Sequence, residues 1–320
     1  MVGIREIAKR ANVSISTASY AINGSSKVKT ETRDRILAIA NELNYIPNMA
    51  GRTLKKQKTN LIGVYLTNYG GAFYGELVSG IHDFLHQHHY DVIICSSERA
   101  HTFIPEKMVD GAIILDSTFS TEKIESYAAR GHQMVVLDRE LSHQNVCSVL
   151  LDNRGGAKKA LLALEKKVTK KIYLVTGPPG TYDSNERLAA AKKCLEERKL
   201  SYEVILGDFS KESGRQAARE ILQKSEKEVG IFCLNDEMAI GMYSVFQKSN
   251  WKIGKDIHIV GFDNIEVTHY LRPRLTTIDY SKSDWGKAAA EKIYFMLNGK
   301  QPSNQLVDVK LKGGKSVGSI

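Results

Sequence analysis

The chain has 320 residues, 42% hydrophobic and 25% charged, with a formal net charge of +9, the make-up of an ordinary globular protein large enough for two or three folding units. No apolar run is long enough to span a bilayer, and Arg5, Glu6, Lys9 and Arg10 interrupt any export-signal core, so a cytoplasmic protein without membrane contact is expected. The charge is concentrated: residues 1–58 hold eleven Lys and Arg against four Asp and Glu, a net of +7, which suits a polyanion partner and leaves a nearly neutral body.

The first segment predicts three short helices. Ile4, Ile7, Ala8 and Ala11 recur at helical spacing. The pattern breaks at Asn12-Val13-Ser14, where Asn tolerates the left-handed backbone of a tight turn and Ser14 supplies an N-cap. The second helix is expected to stop near Asn23-Gly24. A third, opening near Thr30, carries Ile36, Leu37, Ile39, Ala40 and Leu43 on one face. Two helices joined by a three-residue turn are the helix-turn-helix plan, whose second helix enters the major groove. This gives an all-α headpiece over residues 1–46. Residues 47–60 follow as a hinge, with Leu54 isolated among Arg52, Lys55, Lys56 and Lys58. That stretch is too short and polar to be a stable helix alone, so it is expected to order on binding.

From Leu61 the rhythm changes. Short apolar runs (LIGVYL, VIIC, GAIILD, MVVLD, SVLLD, IYLVTG, GIFCLND and IHIVGFD) alternate with segments of helical spacing. Such alternation predicts parallel sheets covered by helices, and the length of 61–320 suits two α/β lobes. Polar residues follow several runs directly: Asp116, Asp138, Asp152, Asn235-Asp236 and Asp263. Each is either a helix cap or part of a ligand site beyond the strand ends. Cys95, Cys147, Cys194 and Cys233 stand far apart without metal-ligand spacing, so buried thiols are expected, with no disulfide, metal or cofactor. GPPGTYDS lacks the Lys-Ser/Thr end of a P-loop, NYGGAFYG is not a dinucleotide fingerprint, and no nucleophile–base pair assembles. An enzyme is not expected.

These motifs, in this order, resemble the lac repressor (LacI/GalR) family. Residues 4–64 follow the family's headpiece, hinge and first strand; AFYGELVSGI, VDGAIIL, DNRGG, LVTGPPG, ERLAAAKKCL, LNDEMAIG, IVGFDN and RPRLTTID then fall in family order. The resemblance implies a periplasmic-binding-protein-like two-lobed sensor behind the headpiece. It implies that Ile15, Ser16 and Tyr20 face base edges, and that Ser14, Thr17 and Asn23 contact phosphate or cap the helix. It implies that Leu54 wedges into the minor groove. Members very often carry Arg where this chain has Tyr20, and Tyr cannot read guanine bidentately, so a different operator or a packing role for Tyr20 is expected. Phe73, Tyr74, Arg187, Phe209, Asn235 and Asp263, with Asp152 as a weaker candidate, are placed by resemblance around an inter-lobe cleft.

That set suits a sugar, aromatic faces meeting ring carbons and Arg, Asp and Asn meeting hydroxyls; a purine would use much the same set. The expectation is a sequence-specific regulator, a repressor by resemblance, that binds double-stranded operator DNA under control of a small polar effector. An extracytoplasmic sugar-binding protein would share the two lobes but lack the headpiece. The tail KGGKSVGSI lacks apolar heptads, so a homodimer is expected rather than a tetramer. Between Ser96 and Gly111 the family's crossover helix is pared down to a stretch containing Pro105.

Overall fold

The computed structural model describes residues 3–46, 58–70, 72–168, 170–224 and 227–318. The chain divides into two compact units, Met1–Thr59 and Asn60–Ile320. In the first, the periodic alanines and isoleucines build α1 (Ile4–Arg10), α2 (Ile15–Ile22) and α3 (Thr30–Glu42). Ile7, Ala8, Ala18, Ala21, Val28, Ile36 and Ala40 close its small core. Asn12 has φ 51°, the left-handed turn the sequence called for. Ser14 caps α2, its hydroxyl accepting from the Thr17 amide at 3.1 Å. The hinge expected at 47–60, Leu54 included, lies almost wholly outside the described residues.

The second unit alternates strands and helices as the sequence predicts. Its first part runs β1 (Leu61–Leu66), α4 (Ala72–Gln87), β2 (Asp91–Cys95), β3 (Gly111–Leu115), α5 (Thr121–Ala129), β4 (Met134–Val136) and β5 (Val146–Leu151). Its second runs α6 (Asn153–Glu165), β6 (Lys171–Val175), α7 (Tyr182–Glu197), β7 (Tyr202–Ile205), α8 (Lys211–Lys224), β8 (Val229–Cys233), α9 (Asp236–Phe246), β9 (Ile257–Phe262) and β10 (Thr276–Asp279). The end of the chain adds α10 (Lys282–Leu297), β11 (Gln305–Val307) and β12 (Lys310–Lys312).

The strands form two six-stranded sheets, ordered β11-β5-β4-β3-β1-β2 and β12-β10-β9-β8-β6-β7. All pairings are parallel except that of β12 with β10. Nearly every residue of β1, β3, β4, β5, β8 and β9 is buried, which is why these strands read as continuous apolar runs rather than alternating ones. In each sheet the order reverses beside the first strand of its half, β1 or β6. In open parallel sheets ligands bind beyond the strand ends at such reversals.

The chain crosses between lobes three times: after β5, after β10 and between β11 and β12. Accordingly α6 packs on β8–β10 and β12, whereas α10 returns to pack on α4 and β3–β5. The pared-down 96–111 connection is a 3-10 turn over Glu98–Phe103. No α-helix forms there, and buried Ala100, His101 and Ile104 fill that space instead. His101 stacks on Phe119 with ring centroids 3.9 Å apart and its Nε2 lies 3.1 Å from Asp116. All four cysteines are buried and free. Among the described residues no helix is long and apolar enough to cross a membrane, and no group of three or more His, Cys, Asp or Glu is placed to hold a metal.

Candidate functional site

Two places in the chain are built for contact. The first is α2. Its N-terminal turn presents Ile15 and Ser16 to solvent, while Thr17 is half-buried and its hydroxyl lies 2.8 Å from that of Ser14. Asn23 stands at the C-terminal end, where its amide nitrogen donates to the Ser19 carbonyl at 2.7 Å. Tyr20 is partly buried against the headpiece core, with the Lys27 ammonium 5.5 Å from its ring centroid.

The second is a cleft of about 980 Å³ between the lobes of the larger unit. From the first lobe it is lined by Phe73 and Tyr74 at the start of α4 and by Asp138 and Arg139 just after β4. From the second come Arg187 on α7, Phe209 before α8, Asn235 after β8 and Asp263 after β9. Phe73 and Tyr74 meet edge to face with centroids 5.0 Å apart. Arg139 grips Asp138 through two hydrogen bonds, at 2.8 and 3.0 Å. It also donates to the Asp116 carbonyl at 2.9 Å, so its plane is fixed.

Arg187 is held equally tightly. It is 3% exposed, stacks on Phe262 at 3.6 Å, and donates to Asn153 at 2.8 Å and to the Leu234 carbonyl at 2.6 Å. Its nearest contact with Asp263 is 3.9 Å. Asn235 caps α9 by accepting from the Met238 amide, and its nitrogen donates to the Phe209 carbonyl at 3.0 Å. Phe209 and Asp263 both adopt positive φ, 68° and 110°. Few non-glycine residues enter that region, Phe least readily of the two, and strain of this kind gathers where side chains must be aimed.

Burial dominates the electrostatics. It raises Asp263 to about 6, against the opposing pull of Arg187 and Lys282 and the Tyr280 hydrogen bond. It also lifts Asp138, which Arg139 draws back, and pushes Tyr74 up to about 12, helped by the charge of Asp263. Among the described residues, every cation lining the cleft already has a carboxylate: Arg139 with Asp138, Arg187 with Asp263, Lys211 with Glu237 and Arg215 with Glu212. Asp183 and Asp208 add two further acids. Asp208 is held below the usual carboxylate range by hydrogen bonds from Ser210 and Ser213. The surface on offer is rich in acceptors and has no cation to spare, which fits hydroxyl donors better than anions.

Comparison with known proteins sets these two places in context. The signature of bacterial regulatory proteins of the lacI family matches residues 3–48, and that of a periplasmic binding protein-like domain matches residues 162–317. The ribose operon repressor of Haemophilus influenzae is 31% identical over 303 residues, covering 91% of this chain and 90% of that protein. The chain belongs to the lacI family. Among lacI-family structures, a sugar-binding transcriptional regulator from Enterococcus faecalis is 49% identical, with a TM-score of 0.78, covering 82% of this chain and 99% of that one. The lac repressor dimer bound to operator and the anti-inducer ONPF superposes with a TM-score of 0.84 at 26% identity, covering 99% of both chains.

Within this lacI-family frame the structure brings Phe73, Tyr74, Arg187, Phe209, Asn235 and Asp263 to one cleft. Asp152 is the exception among the residues expected there. It does not line the cleft; its carboxylate accepts from the Gly155 amide at 2.8 Å and caps α6, the role open to any acid between a strand and a helix. Sequence reasoning missed Arg139 altogether and noted Asp138 only as a strand-end acid. The signal was an acid followed at once by an arginine after the apolar run MVVL.

Proposed function

We propose that this chain is a sequence-specific transcriptional repressor. It binds operator DNA as a homodimer through its headpiece and is controlled by an uncharged monosaccharide held between the lobes. The observation that carries this reading is that residues 1–58, helix-turn-helix headpiece and hinge together, carry a net charge of +7, while the cations lining the cleft behind them are neutralised from within. Phosphate neutralisation by the headpiece supplies affinity for any duplex. Phe73, Tyr74 and Phe209 offer apolar surface for a sugar ring, and Asp138, Arg139, Arg187, Asn235 and Asp263 offer paired donors and acceptors for its hydroxyls. A relative from Haemophilus influenzae bears the name ribose operon repressor, and a structural neighbour from Enterococcus faecium is described with bound ribose. Such a protein works where its DNA is, in the cytoplasm, and needs no catalytic step.

On this reading Ser14, Ile15, Ser16, Thr17, Tyr20 and Asn23 form the DNA-facing set, with Leu54 in the hinge as the groove wedge. The test has two arms. Full-length protein is titrated with duplex DNA at increasing salt, and by thermal shift with neutral pentoses and hexoses, their phosphate esters, and purine bases. Saturable duplex binding that falls steeply with salt, with stabilisation by a neutral sugar alone, is the expected result. Stabilisation by a phosphate ester or a purine alone overturns the effector class; absence of duplex binding overturns the repressor.

A further inference from the structure

The recognition helix has an unusual inventory. From Ile15 to Ile22 it reads ISTASYAI: no Lys, Arg, Asp or Glu, and no Asn or Gln. The strong direct contacts in the major groove are bidentate, Arg or Lys to guanine and Asn or Gln to adenine. None of these can start from within this helix. Asn23, just beyond it, spends its amide on Ser19. What remains is hydroxyl chemistry and apolar contact.

The apolar contact is concentrated at one place. Ile15 is 49% exposed, while the neighbouring Ala18 and Ala21 are buried and Tyr20 is half-buried against the headpiece core. It occupies the first position of the helix, directly after the Ser14 cap. The N-terminal residues of a groove-entering helix are the ones that reach base edges. An isoleucine left in water there has one apolar counterpart on the floor of the major groove, the 5-methyl group of thymine.

We infer that Ile15 is the principal base reader of this headpiece and that it reads a thymine methyl in each operator half-site. The assignment rests on the repressor reading above and adds which base, and which atom of it, the helix recognises. Sequence preference then depends on apolar burial at Ile15 together with single hydrogen bonds from Ser16, while Lys and Arg outside α2 supply the salt-dependent phosphate term.

The experiment starts from duplexes selected out of a random library by the full-length chain. Thymines of the half-site are replaced one at a time by deoxyuridine, which removes only the methyl, and binding is followed by fluorescence anisotropy. One position per half-site is expected to weaken binding about fourfold, the worth of one buried methyl. Ile15→Ala should bind the thymine duplex more weakly and show no further loss on deoxyuridine at that position, whereas Ile15→Val keeps part of the sensitivity. A wild-type protein indifferent to every deoxyuridine overturns the assignment. So does an Ile15→Ala protein that still loses fourfold at the same base. If the library yields no retained duplex at all, the repressor reading itself fails and takes this assignment with it.

Discussion

Asp263 is set apart in three ways. It is only 7% exposed, its φ is 110°, and burial raises its carboxyl from 3.8 to about 6. Its fixed partner is the Tyr280 hydroxyl, which donates at 2.9 Å. A carboxyl whose folded pKa lies above the unfolded value contributes stability below the unfolded value and loses it as pH rises through the folded one. At neutral pH the ionised group therefore opposes folding, by about 2–3 kcal/mol for a shift of this size. Asp263→Asn keeps an acceptor for Tyr280 and tolerates positive φ. We expect it to raise the melting temperature at pH 7.5 while abolishing sugar binding in calorimetry; an unchanged or lower melting temperature with binding retained would remove Asp263 from the site. In the wild type, sugar affinity should fall as pH drops through about 6, because the protonated carboxyl surrenders half of its acceptor role. Calorimetry at pH 5.5 and 7.5 reads this directly.

At the scale of elements, each lobe is clamped by a pair of helices that approach to backbone contact at reciprocal glycines. In the first lobe a Cβ on Gly80 of α4 would lie 2.0 Å from the Ser283 carbonyl oxygen, and one on Gly286 of α10 would lie 2.2 Å from that of Leu77. In the second, Gly214 of α8 and Gly241 of α9 stand in the same relation to Met238 and Lys211, at 2.1 and 2.0 Å. Gly80→Ala must push α10 away from α4, an overpacking effect of about 1–3 kcal/mol. The expected outcome is a melting temperature lower by several degrees in a thermal-unfolding scan. These pairings were not legible in the sequence, where spacing reports a helix's own faces and not its partner.

The strands were legible wherever burial on both faces made them continuous apolar runs. QLV and KLK were not: as short edge strands β11 and β12 carry exposed polar residues and give no periodic signal. For the same reason the return of α10 to the first lobe could not be read, because the residues Asp279–Lys282 that make the crossing carry no mark of direction. In the cleft, five residues were legible through their motifs, and Phe209 through the family resemblance alone. Asp152 and Asp138 were ambiguous because an acid after a strand serves equally as cap or ligand, and only the position of the following helix separates them. The structure separates them: Asp152 binds the Gly155 amide and Asp138 binds Arg139.

On the scale of the whole sensor unit, what links the lobes is as specific as what lines the cleft. Lys282 begins α10 at the second crossing and is 2% exposed, with its ammonium 3.8 Å from Glu76 of α4 and 5.2 Å from the centroid of Tyr280. Tyr280 in turn donates to Asp263. A continuous set of contacts thus runs from the second lobe's cleft acid, through the crossing, to the helix that carries Phe73 and Tyr74. A buried ammonium is costly to keep, and apolar replacements of buried ions are often neutral or better. Coupling between sites is a free energy, so its loss is measurable apart from binding itself. Lys282→Met, similar in length and uncharged, should leave the fold and basal operator affinity intact and lower sugar affinity only modestly, through the loss of its pull on the Asp263 carboxyl. The ratio of operator affinities with and without sugar should move toward one. Anisotropy titrations at saturating and zero sugar give that ratio. A variant that responds to sugar like the wild type would mean the lobes communicate through the other two crossings, after β5 and between β11 and β12, and that Lys282 serves only to fill space beneath Tyr280.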